Sequence, residues 1–273
     1  MFLRIISITT LCFFSNYAFA LPQADPVPGG IALINIDIDD FSAPQVYFNR
    51  RQLMVHSDEA SWIAVVGIPL NTSVGNHQIE VVPNRGTPFN LEFNLKGKQY
   101  ESQYLTIKNK RQVNPNKKDL ARISKEKKEM NQVYQRWTKQ SKDLIPFIKP
   151  AQGPYSSPFG LKRFFNKQPR NPHSGIDIAA PEGSPIIAPA DGIIRASGYY
   201  FFNGRTVLID HGQGLVSMFC HMSSVNVQLG QHIKRGQRVG SIGQTGRATG
   251  PHLHWSVSLN NARVNPLLFL AVP

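Results

Sequence analysis

The sequence predicts a mainly β protein with a sandwich-like N-terminal domain, a helical connector and a C-terminal domain built on an antiparallel sheet. Three observations carry that prediction. Short apolar runs with period-2 alternation fill residues 21–110, a glycine-free lysine-rich stretch occupies 111–147, and glycine-punctuated strand patterns return over 148–273. With 41% apolar and 10% aromatic residues, a 273-residue chain can bury one or two cores.

Residues 1–20 stand apart. Arg4 is their only charge, an apolar run comes next, and Ala18-Phe19-Ala20 closes the segment. This is the pattern of a secretory signal peptide cleaved after Ala20. Ser15, Asn16 and Tyr17 interrupt the run before it reaches the about 20 apolar residues of a membrane span. Cys12 leaves with the signal and sits too deep in the apolar run to be a lipidated terminus. The mature chain then keeps one thiol, Cys220, and no internal disulfide, which suits a bacterial envelope better than a disulfide-built secreted module. A formal charge of +13 outside the cytoplasm points to an anionic surface or polymer of the envelope and away from nucleic acid.

In the N-terminal domain "IALINIDID" alternates Ile34, Ile36 and Ile38 with Asn35, Asp37 and Asp39, a strand with one wet face. Residues 61–70, 77–82 and 89–97 are further strands, separated by the turn sequences "NTSVGN" and "PNRGTP". Asp37, Asp39 and Asp40 do not form a calcium loop, because the loop glycine and the terminal glutamate are missing. Between Asn114 and Leu144, Met130, Val133, Tyr134 and Trp137 fall at i, i+3, i+4 and i+7. They form an apolar helical stripe that would pack on a neighbouring domain. Asn116 is the expected N-cap, Pro146 ends the helical run, and the lysines at 117, 118, 125, 127 and 128 read as a solvated face. Beyond Pro150, "GIDIA", "PIIAPADGIIRASG", "RTVLIDHG", "LVSMFCHM" and "HLHWSVS" are short strands.

Histidine placement carries the chemistry. Six of the eight histidines lie in the last hundred or so residues. His173 and Asp177 are separated by three residues in a stretch whose prolines and glycine oppose a helix. On a strand both would share one face, with Ile176 and Ile178 directed to the core. His252 and His254 share a face by the same rule, with Leu253 and Trp255 buried opposite. Two imidazoles side by side on a half-buried face repel if charged, and a metal would hold them neutral. His221 stands alone at a strand end, His211 reads as a turn or surface residue, and His232 as exposed. His173, Asp177 and one member of the H-x-H pair make a His2Asp set, which zinc accepts with a fourth position left to water. No H-E-x-x-H occurs, so a helix-borne glutamate base is not available.

"NPHSGIDIAAPEGSPI", "FCHMSS" and "GQTGRATGPHLHWSV" resemble the signatures of the lysostaphin-like, LytM-type zinc metallopeptidases, which cut peptidoglycan peptides. The resemblance covers residues 150 to 270, and the N-terminal region looks more loosely like the β-rich domain of Gram-negative exported members. It implies a LytM-type, lipoyl-like β fold for the catalytic domain. It also implies Zn2+ held by His173, Asp177 and His254, with His221 and His252 as the catalytic pair. Phe219 stands where many members have tyrosine, a change that could alter the cleft. The implied function is a peptidoglycan endopeptidase, with the D-alanyl–diaminopimelate crosslink as expected substrate in a Gram-negative periplasm. The implied partners are peptidoglycan stem peptides, with no nucleic acid and no membrane anchor after signal removal, and a monomer is expected. A non-catalytic LytM-type activator of other wall hydrolases, disfavoured because the ligand set is complete, and a sugar- or wall-binding module with a structural metal are the rival readings.

Overall fold

The computed structural model describes residues 21–58, 61–139 and 146–271. The expected signal peptide and residues 140–145 of the expected connector lie outside the described residues.

The N-terminal unit is a two-sheet sandwich. One sheet pairs Ile31–Ile36 with Ser61–Gly67 and then Met54–Asp58, all antiparallel. The other runs Arg51–Gln52, Gln45–Phe48, Gly75–Val82, Phe89–Leu95. Between them Ala32, Ile34 and Ile36 meet Val46, Phe48, Ile79, Val81 and Leu95. The alternation read from "IALINIDID" is therefore real, with Asn35 and Asp37 exposed. The first sheet is buried on its other face too. Ile31, Met54 and Val65 join the core of the C-terminal unit, which explains the near-continuous apolar run "WIAVVG" where a one-sided strand would alternate.

From Ser102 onward the chain packs on the C-terminal unit. Ser102–Leu105 pairs in parallel with Lys162–Phe165, which pairs antiparallel with Gln168–Pro169. A helix spans Lys117–Tyr134, opened by a capping box in which the Asn116 side chain accepts from Asp119 N–H and the Asp119 carboxylate accepts from Asn116 N–H. Val133 and Tyr134 bury against Ala196, Leu208, Val216, Met218 and Cys220, with Met130 partly covered. The helix ends before the expected stripe does, so Trp137 lies beyond it and is 39% exposed.

The C-terminal sheet has eight antiparallel strands. Its order is His232–Ile233, Gly192–Tyr200, Gly204–Gly212, Leu215–Met222, His252–Leu259, Ile176–Ala179, Tyr155–Ser157, and Ala262–Val264 also pairs with His252–Leu259. A three-stranded sheet of Pro185–Ile187, Arg238–Ser241 and Ser224–Val225 covers it, and Ile186 and Val239 pack with Ile209, Leu253 and Trp255. Central strands buried on both sides account for the long apolar runs "VLI" and "LVSMF". Phe219 is fully buried in that core, so the phenylalanine for tyrosine change does not reach the cleft. Among the described residues no helix is long and apolar enough to cross a membrane.

Candidate metal centre and active site

Sheet register builds the site. Asp177 lies directly opposite His254, Ala179 opposite His252, and Cys220 opposite His254 on the other side. Leu253 and Trp255 point into the core at 0% exposure, leaving His252 and His254 on the opposite face, as the H-x-H spacing predicts. Gly175 is required by this packing: a Cβ there would collide with the Trp255 carbonyl oxygen and meet the His254 ring at 2.9 Å.

His173 corrects one expectation. It precedes the Ile176–Ala179 strand rather than sharing it, so the common face with Asp177 is not a strand face. Backbone bonds hold its loop instead: His173 N–H donates to Leu161 O at 2.9 Å, and Gly160 N–H donates to His173 O at 2.8 Å. Its Nδ1–H donates to Pro158 O at 2.7 Å. A carbonyl can only accept, so Nε2 is left with its lone pair. That nitrogen lies 3.1 Å from Asp177 Oδ1 and 3.0 Å from His254 Nδ1, and His254 Nδ1 is 2.8 Å from the same carboxylate oxygen.

All three residues are buried, and their ligand atoms lie within 4.8 Å of one another. Donors at about 2.0–2.2 Å around a tetrahedral zinc sit about 3.4 Å apart, so outward movement by a few tenths of an ångström admits the ion. Two neutral imidazoles and one carboxylate fit a catalytic zinc. Electrostatics agree with this. Burial pushes the Asp177 carboxyl up, but the close approach of the His173 and His254 rings outweighs it and holds the group well below the usual carboxylate range. Burial pulls His254 down to about 4, so it is a neutral imidazole at neutral pH. Asp177 Oδ2 accepts from Arg163 Nη2 at 3.2 Å, which turns the other oxygen toward the histidines.

Two further imidazoles face the same centre. His252 Nδ1–H donates to Gly250 O at 2.8 Å, and its Nε2 is 3.9 Å from Asp177 Oδ1. His221 Nδ1–H donates to Thr245 O at 2.8 Å. The His221 and His252 ring centroids are 4.8 Å apart, and burial pulls His221 down to about 3. His221 also has φ 63°, a left-handed conformation costly for a bulky ring side chain. It persists where the strand pairing shifts register, with His221 N–H donating to Asn203 O at 2.8 Å. In both residues a carbonyl fixes Nδ1 as the donor and leaves Nε2 free to exchange a proton. Cys220, beside His254, is not a ligand candidate, because burial pushes its thiol up to about 12.

The five expected residues thus come together, and Asp177, His221, His252 and His254 line one cleft of about 290 Å³. His232 is exposed, as expected. His211 is not a turn or surface residue: it is 2% exposed within the Gly204–Gly212 strand, bonded through both ring nitrogens to Asp191 O and Ser217 Oγ. "IDHGQG" reads as a turn at His211, but the turn starts two residues later, at Gln213. Sequence reasoning missed Arg163, Arg247, Asn203 and Thr245, whose side chains or carbonyls shape the cleft from loops and strands distant in sequence. The basic and aromatic pairing in "KRFF" was the only local signal of the first.

The chain is similar to known proteins over both domains. Residues 171–266 match the model of Peptidase family M23, and residues 24–96 that of the Peptidase family M23 N-terminal domain. The crystal structure of a candidate M23 peptidase from Pseudomonas aeruginosa is 41% identical, with a TM-score of 0.78, over 91% of this chain and 96% of that one. The chain belongs to peptidase family M23, a family of metallopeptidases, which implies a bound metal ion. The DD-carboxypeptidase/endopeptidase Mpg of Neisseria meningitidis is 39% identical over 112 residues, 41% of this chain and 26% of that protein. The peptidoglycan DD-endopeptidase ShyC of Vibrio cholerae is 42% identical over 94 residues, 34% of this chain and 22% of its own. The matched segment spans about a quarter of these curated relatives.

Proposed function

We propose that the protein is a zinc-dependent endopeptidase that hydrolyses peptide crosslinks of peptidoglycan, with the D-alanyl–diaminopimelate bond as substrate. The observation that carries this reading is the convergence of His173 Nε2, Asp177 Oδ1 and His254 Nδ1 beside two further imidazoles in an open cleft. The matches to peptidoglycan DD-endopeptidases support the substrate class.

His173, Asp177 and His254 would hold the ion, and Arg163 would orient the carboxylate. When bound, zinc supplies a water of lowered pKa and polarises the scissile carbonyl. The rest falls to the chain's own groups. His221 and His252 present free Nε2 atoms to the cleft, and each can take a proton there and return it to the leaving amine. Their Nδ1–H bonds to Thr245 O and Gly250 O fix ring orientation and stabilise the protonated rings. Protonated, the same rings offer Nε2–H to charge developing on the carbonyl oxygen. All five groups come from one chain, which suits a monomer. Residues 1–20 direct export to the periplasm, and residues 21–110, 111–147 and 148–273 serve as β-rich N-terminal domain, basic helical connector and catalytic domain.

The test is solubilisation of purified, dye-labelled peptidoglycan by the full chain. Release should stop with a chelator and return with added Zn2+. Binding to the wall without release, at full zinc occupancy, would establish a non-catalytic role instead.

A further inference from the structure

The cleft carries more positive charge than its own acids can balance. Arg163 and Arg247 both line it, and among the described residues Asp177 is the only acidic one that does. Asp177 is already engaged by Arg163, His173 and His254. Arg247 therefore has no counter-charge on the cleft wall.

Its side chain is nevertheless held in place. The guanidinium carbon lies 4.6 Å from the Phe165 ring centroid and 4.3 Å from that of Phe202, two cation–π contacts that clamp it. Nη1 donates to Gln112 O at 3.1 Å, and Gln112 Nε2 donates back to Gly246 O at 2.9 Å. Arg247 N–H donates to Phe202 O at 2.8 Å. The segment that joins the two domains thus braces the loop that carries Arg247. Burial and the neighbouring Arg163 and Arg170 pull its pKa down to about 10, so it stays charged at neutral pH. Among the described residues, Nε and Nη2 have no hydrogen-bond partner. Together they form one edge of the guanidinium, the edge that takes a carboxylate in two parallel bonds. The open edge of a charged, clamped arginine beside the catalytic centre is a preorganised site for an anion.

We infer that Arg247 determines substrate specificity by binding a free carboxylate of the peptide next to the scissile bond. The inference rests on the endopeptidase reading for the identity of that peptide, whose diaminopimelyl residue carries such a carboxylate. It goes beyond that reading in predicting that amidation of the carboxylate weakens binding. The clamp supplies preorganisation, so little side-chain entropy is lost when the anion binds.

The test uses two crosslinked muropeptide dimers that differ only in having a carboxylate or a primary amide on the diaminopimelyl residue at the crosslink. Binding is measured by titration calorimetry on the zinc-loaded full chain carrying His221→Ala, with and without Arg247→Gln. The acid dimer should bind at least about tenfold more tightly than the amide dimer. Arg247→Gln should remove that preference by weakening the acid dimer alone. Arg247→Lys, which keeps the charge but loses the planar edge and the clamp, should retain a small part of it. Equal loss on both dimers, equal affinity of both for the protein with Arg247, or no binding of either overturns the inference. Should Arg247→Gln not fold, the Arg247→Lys variant and the acid–amide comparison at Arg247 still decide it. Cleavage is scored separately with the unmodified protein. Failure to hydrolyse either dimer defeats the endopeptidase reading, whereas loss of discrimination defeats the role of Arg247.

Discussion

His211 offers a pH test that lies away from the metal centre. It sits in the Gly204–Gly212 strand, with the Phe147 ring centroid 5.0 Å away. Nδ1–H donates to Asp191 O at 2.7 Å, and Nε2 accepts from Ser217 Oγ at 2.9 Å. Burial pulls its pKa down from 6.5 to about 4, against the upward pull of the Asp191 carbonyl and of the Asp210 and Asp191 carboxylates. A depressed folded pKa means that the unfolded chain takes up the proton first. The stabilisation is therefore complete above 6.5 and is lost as pH falls toward about 4. The whole gap corresponds to about 3 kcal/mol, of which about 2–3 kcal/mol falls between pH 7.5 and pH 4.5. The assay is urea unfolding of the unmodified protein and of His211→Gln at those two pH values. Glutamine keeps a donor and an acceptor but does not titrate. At pH 7.5 the variant should be less stable by about 1–3 kcal/mol through lost ring contacts. At pH 4.5 that deficit should shrink or reverse by about 2–3 kcal/mol. Asp177, His221 and His254 titrate in both proteins and cancel in the comparison. Parallel pH dependence of the two proteins would refute a buried neutral His211.

Three other outcomes rest on the same kind of contact. His221→Ala should retain zinc and lose about 10²–10⁴-fold in turnover, whereas His254→Ala should lose the metal; equal zinc content by mass spectrometry in His254→Ala and the unmodified protein would remove His254 from the ligand set. Asn260 joins the two domains by accepting from Gly67 N–H at 2.7 Å and donating to Gly67 O at 2.9 Å, both buried. Asn260→Ala should cost about 2–4 kcal/mol in denaturant unfolding, and an unchanged midpoint would show that the bridge contributes nothing. Gly175→Ala should push against both the Trp255 carbonyl and the His254 ring, whose nearest atoms lie 2.9 Å from the added carbon, and so lower zinc content and the unfolding midpoint together.

Much of this site was legible because its spacing is strand geometry. The H-x-H pair fixes one face of a strand whatever surrounds it, and Leu253 and Trp255 mark the other face by their bulk. Burial on two faces was not legible in the same way. "WIAVVG" does not say which neighbour covers its second side, and only the domain contact through Ile31, Met54 and Val65 answers that. Short strands closed by non-glycine turns also escaped reading. Gln45–Phe48 turns into Arg51–Gln52 through Asn49 and Arg50 at φ 49° and 63°, a turn for which asparagine was the only cue. His173 belongs with Asp177 through loop hydrogen bonds to Leu161 and Pro158, which periodicity does not encode. Arg163 and Arg247 reach the cleft through tertiary contacts with partners far away in sequence, beyond the range of any local pattern.

The histidine–aspartate cluster stands or falls on metal-dependent hydrolysis of the crosslink. Its most direct test is mass analysis of a purified crosslinked muropeptide dimer digested in water enriched in oxygen-18, with a chelated sample and His221→Ala alongside. Two monomers are expected, one bearing a single heavy oxygen on a new D-alanyl carboxylate, formed only by the zinc-loaded unmodified protein. An intact dimer at full zinc occupancy, a cut at another bond, or equal product in the chelated sample would contradict that mechanism.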